Sequence, residues 1–258
     1  MEQMVSFISE ENTLRGILHL PDNGQADHPA IILCHGFMGN KIGLHRVLVK
    51  AARFFCAKGY AVLRFDFSGC GDSDGDHRDI TIDRQVREVQ AAFRFLRGQT
   101  QISIARVFLL GLSMGGAVAA LASRNIPGLS GLVLWAPVAD LYRDIMGVVG
   151  NRIFSEAVAS GVADYMGFPL GRQFVESLRH NYPVSDAAGF HGPVLVVHGT
   201  GDLDISCQNA KLYQEARNNK GLSTEVHLIR DADHTFSSLE WEDKAFYNTA
   251  AWMDQNTH

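Results

Sequence analysis

Three short segments of this chain carry residue types that together could transfer an acyl group. Gly111-Leu112-Ser113-Met114-Gly115 sets a serine among glycines. The apolar run Val107–Leu110 before it reads as a buried strand, and the small-residue run after it, as far as Arg124, reads as a helix. The serine therefore falls in a strand–turn–helix elbow that lifts its hydroxyl above a sheet. Glycines on both sides remove Cβ atoms that would clash in so tight a turn. The helix N-terminus brings backbone N–H groups, notably that of Met114, and the positive end of its dipole to the place where an oxyanion would form. A Gly-Ser helix cap without chemistry is the plain alternative, and the strand before and helix after weigh against it.

A serine is a weak nucleophile at neutral pH unless a base stands beside it. Of eleven histidines, His234 lies in Asp231-Ala232-Asp233-His234-Thr235-Phe236, between the last expected strand and the last expected helix. That loop belongs to the carboxyl edge of the sheet, the edge that presents Ser113. Most of the other histidines lie elsewhere: His19 mid-strand, His45 on a helix, His77 in a polar turn. These read as solvated or structural. An imidazole base needs an acid to hold its tautomer. The run Val194–Val197 leads into His198-Gly199-Thr200-Gly201-Asp202-Leu203-Asp204, which offers two carboxylates. Asp202 is nearer the strand end, where the backbone is most rigid, and is preferred to Asp204.

The elements that must position these groups alternate along the chain. Val5–Ser9 and Leu14–Leu20 look like an antiparallel pair closed by Pro21-Asp22-Asn23-Gly24. Ala30–Cys34, Tyr60–Phe65, Leu132–Trp135 and Glu225–Ile229 complete the expected strands. Helices are expected at Leu44–Lys58, Ile82–Arg97, Gln208–Asn218 and Leu239–Gln255. In the second of these Ile82, Val86, Val89, Phe93 and Leu96 make one apolar face. Short apolar strands alternating with helices imply a mostly parallel sheet, twisted, of about eight strands with helices on both faces. One connection breaks the rhythm: 58 residues separate Trp135 from Val194, more than the ~30 of a whole βαβ unit. Residues such as Ile153, Phe154, Tyr165, Phe168 and Phe174 make this stretch too apolar for a linker. Asp140–Tyr182 reads as a helical cap inserted into a single domain that spans 1–258.

Composition narrows the function. The chain of 258 residues is 46% hydrophobic and 20% charged, with a net charge of −5. Disorder and coiled coil are excluded by that mixture, and a basic nucleic-acid footprint is absent. Four cysteines (Cys34, Cys56, Cys70, Cys207) show no C-x-x-C spacing and read as reduced, mostly buried thiols. Neither signal peptide nor spanning helix is expected, so the default address is the cytoplasm. After Phe65, Gly69-Cys70-Gly71 invites a dinucleotide reading. The third glycine of that fingerprint would fall on Asp74 and no helix begins there, so the reading fails.

The chain order Ser113, Asp202, His234 resembles that of the α/β-hydrolase fold. Three stretches bring the resemblance closer to the bacterial cinnamoyl/feruloyl esterases: His35-Gly36-Phe37-Met38-Gly39-Asn40-Lys41; Arg64-Phe65-Asp66-Phe67-Ser68-Gly69-Cys70-Gly71-Asp72-Ser73-Asp74-Gly75; and Gly199-Thr200-Gly201-Asp202 with Ala232-Asp233-His234-Thr235-Phe236. The resemblance implies an α/β-hydrolase fold and a triad of Ser113, Asp202 and His234. It also implies a second oxyanion donor, the Phe37 N–H, in a loop that His35 holds. The elbow departs from the common pattern by reading Gly-Leu-Ser-Met-Gly. Where members that bind phenolic acids tend to place a tyrosine in a Gly-Phe-Tyr-Leu-like stretch, this chain has Gly167-Phe168-Pro169-Leu170. Tyr142, Asp144 and Tyr165 are the cap's other candidates for touching substrate.

The expected activity is that of a serine carboxylesterase acting on small to medium esters, hydroxycinnamoyl esters among them, with no metal or organic cofactor. Other acyl hydrolases on this scaffold, such as an acyl-CoA thioesterase, and a non-catalytic small-molecule binder remain as alternatives. The expected partner is a small-molecule ester, with neither nucleic acid nor membrane, and a homodimer stays open.

Overall fold

The computed structural model describes residues 1–24 and 27–256. The chain opens with β1 (Glu2–Ser9) and β2 (Asn12–His19), paired antiparallel with Ser9 opposite Asn12. There follow β3 (His28–Cys34), α1 (Val47–Ala57), β4 (Ala61–Phe65), α2 (Ile82–Arg97), β5 (Ile102–Leu112), α3 (Met114–Ser123) and β6 (Leu129–Trp135). The long connection holds α4 (Leu141–Val149), α5 (Asn151–Ser160), β7 (Val162–Tyr165), β8 (Phe168–Gly171), α6 (Arg172–Ser177) and α7 (Pro183–Gly189). The chain then returns as β9 (Val194–Gly199), α8 (Gln208–Asn218), β10 (Glu225–Ile229) and α9 (Leu239–Gln255).

Eight strands form one sheet in the order β1-β2-β4-β3-β5-β6-β9-β10. β2 runs antiparallel to both of its neighbours, and every other pairing is parallel. The central strands are apolar throughout because they feed two cores at once. Ala30, Ile32 and Cys34 of β3 pack with α2 and α3, whereas Ile31 and Leu33 point the other way, to α1 and α9. Val107 and Leu109 against Phe108 and Leu110 in β5, and Val194 and Val196 against Leu195 and Val197 in β9, repeat the alternation. This is the two-step period of a strand covered on both faces. Among the described residues no helix is long and apolar enough to cross a membrane. Cys34 and Cys70 are buried thiols and all four cysteines are free.

Two expectations are corrected. The helix expected over Leu44–Lys58 is broken: Leu44–Arg46 is a single 3-10 turn, and α1 begins only at Val47. His45 (φ 39°) and Arg46 (φ 65°) adopt left-handed backbone there, which no right-handed helix can continue through. The turn carries the His45 ring to Glu242 Oε1 (2.8 Å) and to the Thr235 carbonyl (3.1 Å). The second correction concerns the segment 140–182, which is not wholly helical. β7 and β8 form an antiparallel hairpin with Tyr165 opposite Phe168. Met166 (φ 53°) and Gly167 (φ 84°) make the two-residue turn, both at positive φ, the form that matches strand twist.

Candidate active site

Strand β5 ends and helix α3 starts on either side of Ser113, whose backbone (φ 60°, ψ −125°) is strained. A Cβ on Gly111 would lie 2.1 Å from the Gly115 carbonyl oxygen, and one on Gly115 would lie 2.3 Å from the Cys34 carbonyl oxygen. The elbow closes only because both are glycine. Its geometry is fixed from outside: the Ser113 N–H donates to the Trp135 carbonyl at 2.8 Å, and the Ser113 carbonyl accepts from Gly116 at 2.9 Å.

The loops after β9 and β10 are laced together at the same edge of the sheet. Thr200 N–H donates to the Ile229 carbonyl (2.9 Å), Gly201 N–H to the Ala232 carbonyl (2.9 Å), and Asp231 N–H to Thr200 Oγ1 (2.9 Å). Gly199 permits this approach, since a Cβ there would sit 2.1 Å from the Ala232 carbonyl oxygen. The lacing brings three side chains into line. Ser113 Oγ lies 2.8 Å from His234 Nε2, and His234 Nδ1 lies 2.7 Å from Asp202 Oδ2. Asp204 is exposed and takes no part. The Asp202 side chain is fully buried. Burial works to raise its pKa, yet hydrogen bonds from His198 and His234 and from the Ile205 N–H hold the carboxyl well below the usual carboxylate range. Such a line can take the hydroxyl proton as the serine attacks and stabilise the imidazolium that results.

Phe37 lines the same cavity as Ser113, Met114 follows Ser113 in the chain, and neither backbone N–H has a hydrogen-bond partner among the described residues. Met114 is the first residue of α3, where helix geometry leaves the donor free. The loop carrying Phe37 is held by His35, whose Nδ1–H donates to the Gly36 carbonyl (2.9 Å) while Nε2 accepts the Phe67 N–H (3.2 Å). Burial keeps the His35 ring's pKa below its ordinary value, which suits that single-proton tautomer. Below the loop, Lys41 donates through its backbone and its ammonium to the two oxygens of buried Asp66.

The three residues of the insert expected near substrate fare differently. Tyr165 stacks on Phe37 (6.3 Å between ring centroids), which also stacks on Phe174 (5.4 Å, 9° between planes). The Tyr165 hydroxyl donates to the Val148 carbonyl at 3.2 Å, and the residue does not line the cavity that holds Ser113 and His234. Asp144 is instead absorbed by the backbone: Oδ2 accepts from Ala139 N–H, Asp140 N–H and Asn209 Nδ2, and Oδ1 pairs with Arg143. Its lone pairs are filled, so it orients the start of α4 and has none to spare for a ligand. Tyr142 lies under the Arg179 guanidinium, 3.7 Å from the ring centroid, and lines a cleft of about 750 Å³ with Arg179, Tyr182 and Lys220. That cleft touches neither Ser113 nor His234. The cavity that does holds about 100 Å³ and is bounded by Phe37, Leu44, Leu48 and Leu112. We take the smaller one as the candidate site, because chemistry requires contact with the nucleophile, whatever the size of the space.

Sequence patterning gave no reason to single out His198 or Phe174. Phe174 sits in an irregular insert with no period to read. His198 is taken up below.

Comparison with known proteins bears on the fold and the family. A family model described as serine aminopeptidase, S33, matches residues 25–164. Est1E from Butyrivibrio proteoclasticus, solved with ferulic acid bound, superposes with a TM-score of 0.86 over 98% of both chains at 20% sequence identity. That likeness shows the α/β-hydrolase fold. The quorum-quenching protein AidA of Acinetobacter baumannii is 30% identical over 145 residues, 56% of this chain and 46% of that protein. Thiohydrolase aneE of Aspergillus aculeatus is 36% identical over 117 residues, 45% of this chain and 35% of that protein. The matched stretches span from 32% to 56% of the length of the first curated relatives.

Proposed function

The chain belongs to the serine aminopeptidase S33 family of hydrolases, and from that premise we propose that it is a serine carboxylesterase working through an acyl-enzyme on Ser113. The observation that carries this reading is the unbroken line from Ser113 Oγ through His234 to Asp202, with contacts of 2.8 and 2.7 Å. In the proposed cycle His234 Nε2 takes the proton of Ser113 as Oγ attacks the ester carbonyl. Asp202, ionised and fully buried, steadies the imidazolium. The N–H groups of Phe37 and Met114 hold the oxyanion, each contributing about 3 kcal/mol of barrier lowering. His234 then returns the proton to the departing alcohol, and water repeats the sequence to free the acid. No metal or organic cofactor takes part in this cycle.

We read the insert at about 140–182 as a cap over the acyl side of the site. Phe37, Phe174 and Tyr165 stack there into an apolar wall, which fits small to medium acyl groups, including aromatic ones. A second reading, thioester hydrolysis, is favoured by the likeness to a thiohydrolase.

The test is kcat/KM on p-nitrophenyl acetate, butyrate and octanoate, methyl ferulate, butyryl-CoA and an aminoacyl p-nitroanilide, with wild type and Ser113→Ala. The reading expects oxygen esters to lead and Ser113→Ala to abolish turnover with the fold intact. A lead for butyryl-CoA over p-nitrophenyl butyrate would move the assignment to the thioesterase, and a lead for the anilide to the peptidase. A Ser113→Ala enzyme keeping most of its activity would overturn the nucleophile.

A further inference from the structure

Asp202 has a second imidazole on the oxygen that serves His234. His198 is the penultimate residue of β9 and is fully buried. Strand alternation puts it on the face of Val194 and Val196. Its Nε2 lies 3.0 Å from Asp202 Oδ2, the oxygen that also receives His234 Nδ1. The other oxygen, Oδ1, accepts the N–H groups of Asp204 (3.0 Å) and Ile205 (2.9 Å). A carboxylate has about four lone-pair sites, so these four donors saturate it.

The tautomer of His198 follows from its neighbours. Nε2 faces two acceptors, Asp202 Oδ2 and the Ile205 carbonyl at 3.1 Å, and must carry a proton. Nδ1 is buried with no hydrogen-bond partner among the described residues, and a proton there would be a buried donor facing nothing, which is costly. His198 is thus a one-proton donor pinned by its surroundings.

We propose that His198 is a positioning residue for the hydrolysis assigned above: it fixes the rotamer of Asp202 and draws charge away from Oδ2, and so sets how basic His234 is during the reaction. The inference rests on the triad reading of Ser113, Asp202 and His234. Without the His198 donor, Oδ2 would offer its full charge to His234 and strengthen it as a base, while the carboxylate lost one of the four contacts that hold its plane.

Other titratable groups stand nearby. Asp204 is on the same loop, Asp233 is tied to Thr235 and Ser237, His45 bridges Thr235 and Glu242 with Lys50 behind it, and His35 is on the oxyanion side. Among the described residues none of their side chains is hydrogen-bonded to the Asp202 carboxylate or to the His234 ring. His198 is therefore the group whose removal acts on that pair directly.

The experiment compares wild type, His198→Phe, His198→Gln and Ser113→Ala by kcat and KM for p-nitrophenyl butyrate from pH 5 to 9. Phenylalanine keeps the ring volume without a donor, and glutamine returns an N–H near the place of Nε2. His198→Phe is expected to lower kcat about tenfold with KM little changed, and to move the acidic limb of the kcat/KM profile to higher pH by roughly half a unit to one unit. His198→Gln is expected to restore both in large part. A purely structural histidine would lower the fraction of active protein or the Tm in both variants and leave the limb in place. An unmoved limb in His198→Phe, or equal damage in both variants, overturns the proposal. Should His198→Phe fail to fold, His198→Leu, which likewise carries no donor, takes its place in the pH series, beside the 15N spectrum of histidine-labelled wild type. The spectrum is expected to contain an Nε2–H ring, absent in His198→Gln, with a low-field proton shielded from exchange; no such signal overturns the proposal. If Ser113→Ala retains turnover, the triad reading itself has failed; if it is inactive and the limb stays put, only the role of His198 has.

Discussion

Asp202 and Glu88 are both shut away from water, and the protein holds them in opposite states. Asp202, on the loop after β9, receives four N–H donors, two of them imidazoles, and stays well below the usual carboxylate range even though burial alone would raise it. Glu88 lies on α2, 1% exposed, and receives only the backbone N–H and the hydroxyl of Ser68. Burial dominates there and pushes its carboxyl up to about 7, against the smaller downward pull of the Ser68 N–H and of Arg84. Both side chains are hidden from solvent, Glu88 the more deeply, and the supply of donors differs. A buried carboxylate stays ionised where the fold surrounds it with N–H groups, and drifts toward the acid form where it does not.

The largest expected effect breaks the Asp202 side of this comparison. Asp202→Asn should lower kcat about ten-thousandfold, because an amide NH₂ facing His234 would favour the wrong ring tautomer. Asp204→Asn should stay within about threefold of wild type, its side chain being exposed and outside the hydrogen-bonded line. Steady-state kinetics on p-nitrophenyl butyrate measure both. Comparable losses in the two variants would remove the distinction between the acids.

The contrast also marks what is legible in a sequence. Ser113, Asp202 and His234 can be found because each falls where a strand-like run stops, and a stopped strand has only one edge to point at. The sheet reads equally well: β10, α2, α8 and α9 have the limits their apolar patterns predict. Glu88 is hidden from that reading. The stripe of Ile82, Val86, Val89, Phe93 and Leu96 makes it a neighbour of the buried face, and nothing local says that the Ser68 loop will close over it. His198 is hidden for a similar reason, since its partner Asp202 is met only after the chain turns back. The hairpin β7–β8 escapes such a reading because it is four residues per strand, too short for a period, and Asp144 reads as a substrate contact because a capping carboxylate and a ligand-facing one look alike in a sequence. Contacts that a turn or a second element makes are absent from periodicity.

The second effect is smaller and concerns stability. Glu88 has a folded pKa of about 7 against an ordinary 4.5. The sign follows from linkage: a group raised on folding adds stability that is full below the unfolded value and is lost as pH rises through the folded one. Glu88 should therefore cost the protein about 3 kcal/mol between pH 4.5 and pH 8. Asp202 runs the other way. Its contribution is present above the ordinary aspartate value and is lost as pH falls through its depressed one, so its window lies below about pH 4. Glu88→Gln should flatten unfolding free energy between pH 5 and 8 and leave kcat near wild type. Urea unfolding at half-unit pH steps measures this, and a variant with the wild-type slope would mean that Glu88 is not the group responsible.

The smallest effect sharpens the comparison from the donor side. If the number of donors sets where a buried carboxylate titrates, removing one from Glu88 should move it further from Asp202. Ser68→Ala deletes the hydroxyl that reaches Glu88 Oε1 and keeps the backbone N–H at 3.1 Å from Oε2. The ionised form loses more than the acid form, because a hydroxyl donating to a carboxylate makes a charge-assisted hydrogen bond, stronger than the neutral one it makes with a carboxylic acid. The pH at which the stability loss levels off, about 7 in the wild type, should then rise by up to about one unit, with a cost near 1 kcal/mol at neutral pH. A levelling-off that stays at about pH 7 would say that burial alone governs Glu88. In that case the number of donors could not be the rule that separates Glu88 from Asp202.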